Sequence, residues 1–223
     1  MRNTKKSTSQ KKYLKSNPHI ADQKLRKFRG LLIPYANHKC IRAVKRAGHE
    51  PTIHGTKLWK SSCLMIDYLA KNPPKKRERV LEVGCGWGVT GIWCAKAWQS
   101  NVVSMDADPA VFPYLEAVAK LNKVYTKTWI QRFERVRKKD LTNFDILFGS
   151  DICFWDELVK PVGNMIDRAI EAGVGKIIIA DPERPTFQEM AKRRVNKHGG
   201  KLVEWRITGK VKASGSLLVI NNS

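Results

Sequence analysis

The chain has 223 residues, enough for one domain with a sizeable core and too few for two large domains. Its 42 Lys and Arg residues against 20 Asp and Glu give a formal net charge of +22. Because no run of about 18 apolar residues occurs, we expect no transmembrane helix and no membrane partner. Because the five cysteines form no Cys-x-x-Cys pair, we expect neither a structural zinc site nor a disulfide framework, and a reducing compartment, the cytoplasm, fits best.

The positive charge is concentrated in the N-terminal part of the chain. Residues 1–60 contain 16 Lys and Arg residues and two acids, Asp22 and Glu50. Residues 1–18 are polar and lysine-rich with almost no apolar side chains, and this composition predicts a basic disordered arm. Such a charge suits a polyanionic partner or an acidic protein surface, and a purely solubilising role stays equally open.

Residues 19–60 are predicted to form a basic helical extension followed by a loop. Spaced apolar positions indicate one or two short basic helices with a break near Pro34. The loop covers residues 51–60, and the predicted main domain covers residues 61–223.

From Arg79 onward, apolar runs alternate with amphipathic segments, which indicates an α/β fold with a mostly parallel sheet and helices on both faces. The last two predicted strands, near residues 201–207 and 216–220, are joined by a connection too short for a crossover, so they should pair antiparallel. The earlier predicted strands lie at 80–83, 101–106, 125–130, 144–151 and 176–181, and the predicted helices at 61–71, 89–98, 109–122, 156–172 and 185–198.

A glycine-rich turn follows the first of these strands, in the segment Glu82-Val-Gly84-Cys-Gly86-Trp-Gly88. Glycines allow a sharp turn and the close approach of a ligand to the backbone. Asp106, 18 residues after Gly88, ends the next strand, where an acid accepts hydrogen bonds from ribose hydroxyls. These features predict a site for a nucleoside-containing cofactor. The glycine spacing also fits a dinucleotide, so a dehydrogenase stays an alternative.

These motifs resemble those of the class I, seven-β-strand methyltransferases, in which an acid and alternating glycines are followed by a ribose-binding acid. The resemblance covers about residues 54–220. It implies S-adenosylmethionine as the cofactor, S-adenosylhomocysteine as its product, and a Rossmann-like seven-stranded sheet with an antiparallel C-terminal hairpin. Glu82 would reach the cationic methionine end of the cofactor, or else be a paired acid at the strand end. The implied cofactor-binding residues are Trp59, Glu82, Gly84, Cys85, Gly86, Trp87, Gly88, Asp106, Ala107, Phe133, Ser150 and Asp151.

The segment Asp151-Ile-Cys-Phe154, at the end of the fourth strand, is similar to the Asp-x-x-Tyr motif of the family-16 protein methyltransferases, many of which modify lysine. That family also has a tryptophan before the first motif, matched by Trp59. Phe154 in place of Tyr removes a hydroxyl. This difference leaves the substrate class and the mechanism undecided, but it does not affect cofactor binding. The implied catalytic residues are Asp151, which would orient an amine or relay its proton, and Phe154 and Trp155, whose rings would wall the channel.

Other residues near the predicted site have two interpretations each. Trp155 is equally consistent with ordinary packing under the next helix. Cys153 is interpreted as a small buried thiol in preference to a nucleophile. His54 is a candidate for the pocket, and the segment 181–184 is a loop cap or part of the pocket rim.

Three functions follow from these motifs and the charge. The leading hypothesis is a protein N-methyltransferase that acts on lysine. The second is methylation of RNA or a ribosomal component, with the basic arm as a phosphate anchor. The third is a cofactor-binding module without catalysis, against which the intact glycine motif and Asp106 argue.

Overall fold

The structure of the protein, a computed structural model, describes residues 24–52, 55, 58–75 and 77–222. The strands within these ranges are β1 (Leu25–Phe28), β2 (Leu31–Pro34), β3 (Arg79–Val83), β4 (Asn101–Asp106), β5 (Lys127–Ile130), β6 (Ile146–Ser150), β7 (Lys176–Asp181), β8 (Lys201–Ile207) and β9 (Ala213–Asn221). The α-helices are α1 (Lys39–Arg46), α2 (Lys60–Lys71), α3 (Val89–Trp98), α4 (Phe112–Asn122), α5 (Lys138–Leu141), α6 (Asp156–Glu171) and α7 (Pro185–His198), and short 3-10 segments span Pro109–Val111 and Phe133–Arg135.

The strands from β3 to β9 form a seven-stranded sheet in the order β5-β4-β3-β6-β7-β9-β8. The first five strands in this order, β5, β4, β3, β6 and β7, run parallel to their neighbours, whereas β9 runs antiparallel to both β7 and β8. The mostly parallel sheet and the antiparallel C-terminal hairpin that the sequence predicts are therefore confirmed. Among the described residues, no helix has both the length and the apolar character needed to cross a bilayer.

Apolar side chains cover both faces of the sheet. In β7, Ile178 packs into the core on one face and Ile177 and Ile179 into the core on the other, and all three are fully buried. Because successive side chains of a strand point to opposite faces, a strand covered on both sides is apolar at every position. Helices α2, α3 and α4 contribute to the first core and α6 and α7 to the second.

The N-terminal extension differs from its prediction. The sequence predicts one or two short helices with a break near Pro34, but β1 and β2 form an antiparallel hairpin up to Pro34, so a helix before Pro34 is wrong. The hairpin turns at Arg29 and Gly30, which have φ of 46° and 79°, and a two-residue turn with both φ positive matches the twist of paired strands. The second predicted basic helix is confirmed as α1. The arm at 1–18 and His54 lie outside the described residues.

The described part of the extension packs into the same core as the sheet. Leu31, Ile33 and Ile41 are buried in the core on the α4 face. The Asn122 amide on α4 accepts a hydrogen bond from the Leu32 N–H at 2.9 Å and donates one to the Leu32 carbonyl at 2.8 Å. The hairpin thus adds to the helical layer that supports β3 and β4.

Candidate functional site

A cavity of about 470 Å³ opens at the carboxyl edge of the sheet. It lies where β3, β4 and β6 end. The strand order reverses at this point, because β4 lies on one side of β3 and β6 on the other, and open α/β sheets bind their ligands at such a switch point. Most of the sequence-predicted site residues line it: Trp59, Gly84, Cys85, Gly86, Trp87, Asp106, Ala107, Phe133, Ser150, Asp151, Phe154 and Trp155. Glu82 and Gly88 do not line this cavity.

The glycine turn between β3 and α3 forms one wall of the cavity. Gly86 has a φ of 51°, and a Cβ added there would meet no atom within 4 Å, so the backbone at this point is open to a ligand. Gly88, with a φ of 64°, is the residue before α3, and its added Cβ would lie 2.5 Å from Cδ1 of Leu115. Gly86 therefore keeps space for a ligand, whereas Gly88 allows α3 and α4 to pack closely.

Asp106 is oriented by the backbone on two sides. Its Oδ2 accepts a hydrogen bond from the Gly86 N–H at 3.0 Å, and its Oδ1 accepts one from the Asp108 N–H at 3.1 Å. Burial raises the pKa of this carboxyl group. The carboxylate is thus held at the cavity wall, at the strand-end position that suits ribose hydroxyls.

Glu82 has partners inside the protein. It is 5% exposed, and its carboxylate accepts hydrogen bonds from the Gly91 N–H at 3.1 Å and the Ser104 hydroxyl at 3.0 Å. Burial raises the pKa of Glu82 to about 7. These bonds tie β3 to the first turn of α3 and to β4, and contact between Glu82 and a cofactor stays a prediction.

Aromatic rings form the opposite side of the cavity. Trp59 comes from the residue before α2, and Phe154 and Trp155 from the segment before α6. The rings of Phe154 and Trp155 meet edge to face with centroids 4.7 Å apart, and Trp155 is 49% exposed. Trp87 lies deeper, where its indole N–H donates to the Gly55 carbonyl at 2.8 Å. This arrangement gives the cavity an apolar and aromatic mouth.

Asp151 is paired with a residue that the motifs did not identify. Nη1 of Arg184 lies 2.6 Å from Oδ1 of Asp151 and 2.7 Å from Oδ2 of Asp181. Burial raises the pKa of Asp181 to about 6. Ser150 pairs with Ala180 across β6 and β7, so the acids that follow them lie side by side. Two acids at matching strand ends were therefore the signal in the sequence for this cluster.

Cys153 has the environment of a structural thiol. It is fully buried, and burial raises its pKa to about 12, far above the range in which a thiolate forms at neutral pH. Among the described residues, no group of three His, Cys, Asp or Glu side chains is arranged to hold a metal ion. The polar side chains that line the cavity are carboxylates, guanidinium groups, the hydroxyls of Ser62 and Ser150 and the amide of Gln131.

A family model described as "Lysine methyltransferase" matches residues 44–196. The chain is 30% identical over 117 residues to the calmodulin-lysine N-methyltransferase of Arabidopsis thaliana, an alignment covering 48% of this chain and 38% of that protein. It is 26% identical over 134 residues to the electron transfer flavoprotein beta subunit lysine methyltransferase of Rattus norvegicus, covering 58% of this chain and 50% of that protein. The matches thus span half or less of these two relatives.

Solved structures share the fold at low sequence identity. A methyltransferase from Pyrococcus furiosus superposes with a TM-score of 0.56 at 14% identity, over 95% of this chain and 98% of that one. A ribosomal protein L11 methylase from Lactobacillus delbrueckii subsp. bulgaricus superposes with a TM-score of 0.52 at 13% identity, over 72% and 79% of the two chains. These similarities show the Rossmann-like fold.

Proposed function

Because this chain belongs to the lysine methyltransferase family, we propose that it transfers a methyl group from S-adenosylmethionine to the side-chain amine of a lysine in a protein. The observation that carries the proposal is the single cavity in which Asp106 and the glycine turn face Asp151 and the aromatic rings. The names of the two relatives, which refer to calmodulin and to a flavoprotein subunit, support a protein as the substrate class.

The residues on one side of the cavity fit S-adenosylmethionine. Asp106 offers carboxylate oxygens for ribose hydroxyls, and the open backbone at Gly86 leaves room beside them. Ala107 and Phe133 line the cavity next to Asp106, where the adenine would lie. When bound, the cofactor supplies an activated methyl group on a sulfonium. The protein must then align the acceptor amine with that group, which is a task of orientation.

The other side of the cavity suits a lysine side chain. A free lysine has a pKa of about 10.4, so only about one molecule in a few thousand carries a neutral amine at pH 7. Desolvation among Trp59, Phe154 and Trp155 lowers that pKa, and the rings can contact an ammonium by cation–π attraction. Asp151 lines the same cavity, and in this proposal its carboxylate orients the amine or passes the amine proton to water.

The test is transfer of label to an identified atom. The purified chain is incubated with a protein and RNA extract and methyl-labelled S-adenosylmethionine, and portions are then treated with protease or nuclease. We expect label that protease releases and nuclease does not, and that acid hydrolysis recovers as methyllysine. Label released by nuclease would instead establish an RNA substrate, and a sample without extract controls for self-methylation.

We also propose that the chain works in a reducing compartment such as the cytoplasm. The support is that all five cysteines lie among the described residues as free thiols, four of them buried.

A further inference from the structure

Three charged side chains meet where β6 and β7 end. Asp181 is fully buried, Asp151 is 7% exposed, and the Arg184 guanidinium lies between their carboxylates. Asp181 uses both oxygens on Arg184, since Oδ1 accepts from the Arg184 backbone N–H and Oδ2 from Nη1, each at 2.7 Å. Asp151 and Arg184 line the cavity, whereas Asp181 lies behind them.

Two carboxylates share one guanidinium, so the ionised cluster carries a net charge of −1. Glu183, the residue before Arg184, accepts a hydrogen bond from the Ser216 hydroxyl at 2.8 Å, and Cys153 is a neutral thiol. Other charged groups on the surrounding elements include Arg132, Glu134 and Arg135 in and beside the 3-10 segment, Asp156 and Glu157 at the start of α6, Arg168 farther along α6, and Glu189 on α7. These groups are more exposed than Asp151 and Asp181, and solvent screens them more strongly.

Building on the proposed lysine methylation, we propose that Arg184 is a positioning residue that holds Asp151 at the cavity wall, and that Asp181 leaves the cluster with one unbalanced negative charge that the substrate ammonium neutralises. A lysine that enters along the aromatic mouth brings the single positive charge that the cluster lacks. Asp151 presents the cluster to the cavity, and Asp181 supplies the excess charge from behind.

The position of Arg184 also limits how strongly the ammonium is held. Two carboxylates without a guanidinium would carry a charge of −2 and would raise the pKa of a nearby lysine, whereas the reaction needs the neutral amine. Arg184 halves that charge. The cluster can therefore attract the ammonium and still allow the ammonium to lose its proton. Asp151 has a φ of 59°, a conformation unfavourable for a non-glycine residue, and the ion pair with Arg184 helps to hold its side chain there.

The test uses n-pentylammonium as a probe for the lysine side chain, titrated at pH 8 into protein saturated with S-adenosylhomocysteine. Asp181→Asn, which keeps the shape of the side chain, should weaken probe binding by about tenfold. Arg184→Gln should tighten probe binding by about tenfold and yet slow methyl incorporation into extract protein, with its rate optimum moved to higher pH. The two substitutions thus change probe affinity in opposite directions if charge balance matters. If Asp181 and Arg184 had only a structural role, both substitutions would weaken probe binding.

Matched variants and a neutral probe serve as controls. Glu171→Gln, at the far end of α6, and Lys192→Gln, on the exposed side of α7, remove the same charges elsewhere and should leave probe affinity unchanged. Arg184→Lys keeps the positive charge and should bind the probe as the unsubstituted protein does, with partial recovery of transfer. n-Pentanol should bind equally to all of these variants.

Two results would overturn the proposal: an unchanged probe affinity in Asp181→Asn, or weaker probe binding in Arg184→Gln. Should Asp181→Asn not fold, as judged by S-adenosylhomocysteine binding, the contrast between Arg184→Gln and Arg184→Lys decides the question. Failure of the proposed function would look different, since the unsubstituted protein would then bind no S-adenosylhomocysteine and label no lysine.

Discussion

Asp106 connects the glycine turn to the cavity, because it accepts the Gly86 N–H and lines the space where a ribose would lie. Asp106→Ala removes both interactions, and we expect the dissociation constant of S-adenosylhomocysteine to rise at least about tenfold by calorimetry. Glu116→Ala, an exposed acid on α4, is the control and should bind normally. A change within about twofold for Asp106→Ala would place the ribose elsewhere.

Glu82 should make the free energy of unfolding depend on pH, because burial raises its pKa to about 7 and an unfolded glutamate titrates at about 4.3. Between these pH values the folded protein holds a proton that the unfolded chain has lost, so the free energy of unfolding falls as pH rises and levels off above about pH 7. Glu82→Gln removes this titration and retains partners for the Gly91 N–H and Ser104.

The comparison for Glu82 is therefore between urea unfolding curves from about pH 4.5 to pH 8.5. Relative to Glu82→Gln, the unsubstituted protein should lose about 3 kcal/mol of unfolding free energy by about pH 7. A difference between the two proteins that stays constant with pH would mean that Glu82 is ionised throughout, as a paired strand-end carboxylate.

The residues of the cavity differ in how far the sequence could predict them. Asp106 was predictable because one βαβ unit fixes its distance along the chain from the glycine turn. The pairing of Asp151 with Arg184 joins residues 33 positions apart and depends on the register of β6 against β7, which no local pattern contains. The internal partners of Glu82 depend in the same way on how α3 packs against β4.

At the scale of whole elements, the apolar strands were predictable from the sequence, whereas the segment that forms the hairpin was predicted to be a helix. Strand β7 is apolar at every central position, which no amphipathic surface helix of this length would be. In β1 and β2, by contrast, Leu25, Phe28 and Leu31 recur every three residues, a spacing that also fits one face of a helix. The Arg29-Gly30 turn was the local signal that distinguishes the two structures.

Asn122 should decide how firmly this hairpin is held on α4, because its amide satisfies both the N–H and the carbonyl of Leu32. Asn122→Ala leaves these backbone groups without those partners, and we expect a loss of about 1–3 kcal/mol in the free energy of unfolding, measured in urea. Asn143→Ala, at an exposed position, should cost far less. A loss for Asn122→Ala no larger than that of the control would mean that water replaces the amide.

At the scale of the whole molecule, the charge is divided between two regions. The folded segment 24–49 carries eight Lys and Arg residues and no Asp or Glu, whereas the cluster of Asp151, Asp181 and Arg184 at the cavity wall has a net negative charge. The end of the basic segment lies near the glycine-turn side of the cavity, since the Tyr114 hydroxyl donates to the His49 carbonyl at 2.6 Å and the Tyr114 ring stacks on Trp87, which lines the cavity. A positive surface beside a negative pocket suits a lysine presented on an acidic protein surface.

The predicted basic arm at residues 1–18 should extend this positive surface without taking part in the chemistry. Deleting it should leave the dissociation constant of S-adenosylhomocysteine unchanged, because the described cavity contains none of its residues. Methyl incorporation into extract protein should fall at low salt, and its decrease between about 50 and about 300 mM NaCl should become shallower, since fewer charges are left to screen. Replacing the arm lysines by glutamine at constant length should give the same result, because charge and not length is the cause. An unchanged salt dependence in both variants would assign docking to the folded basic segment alone.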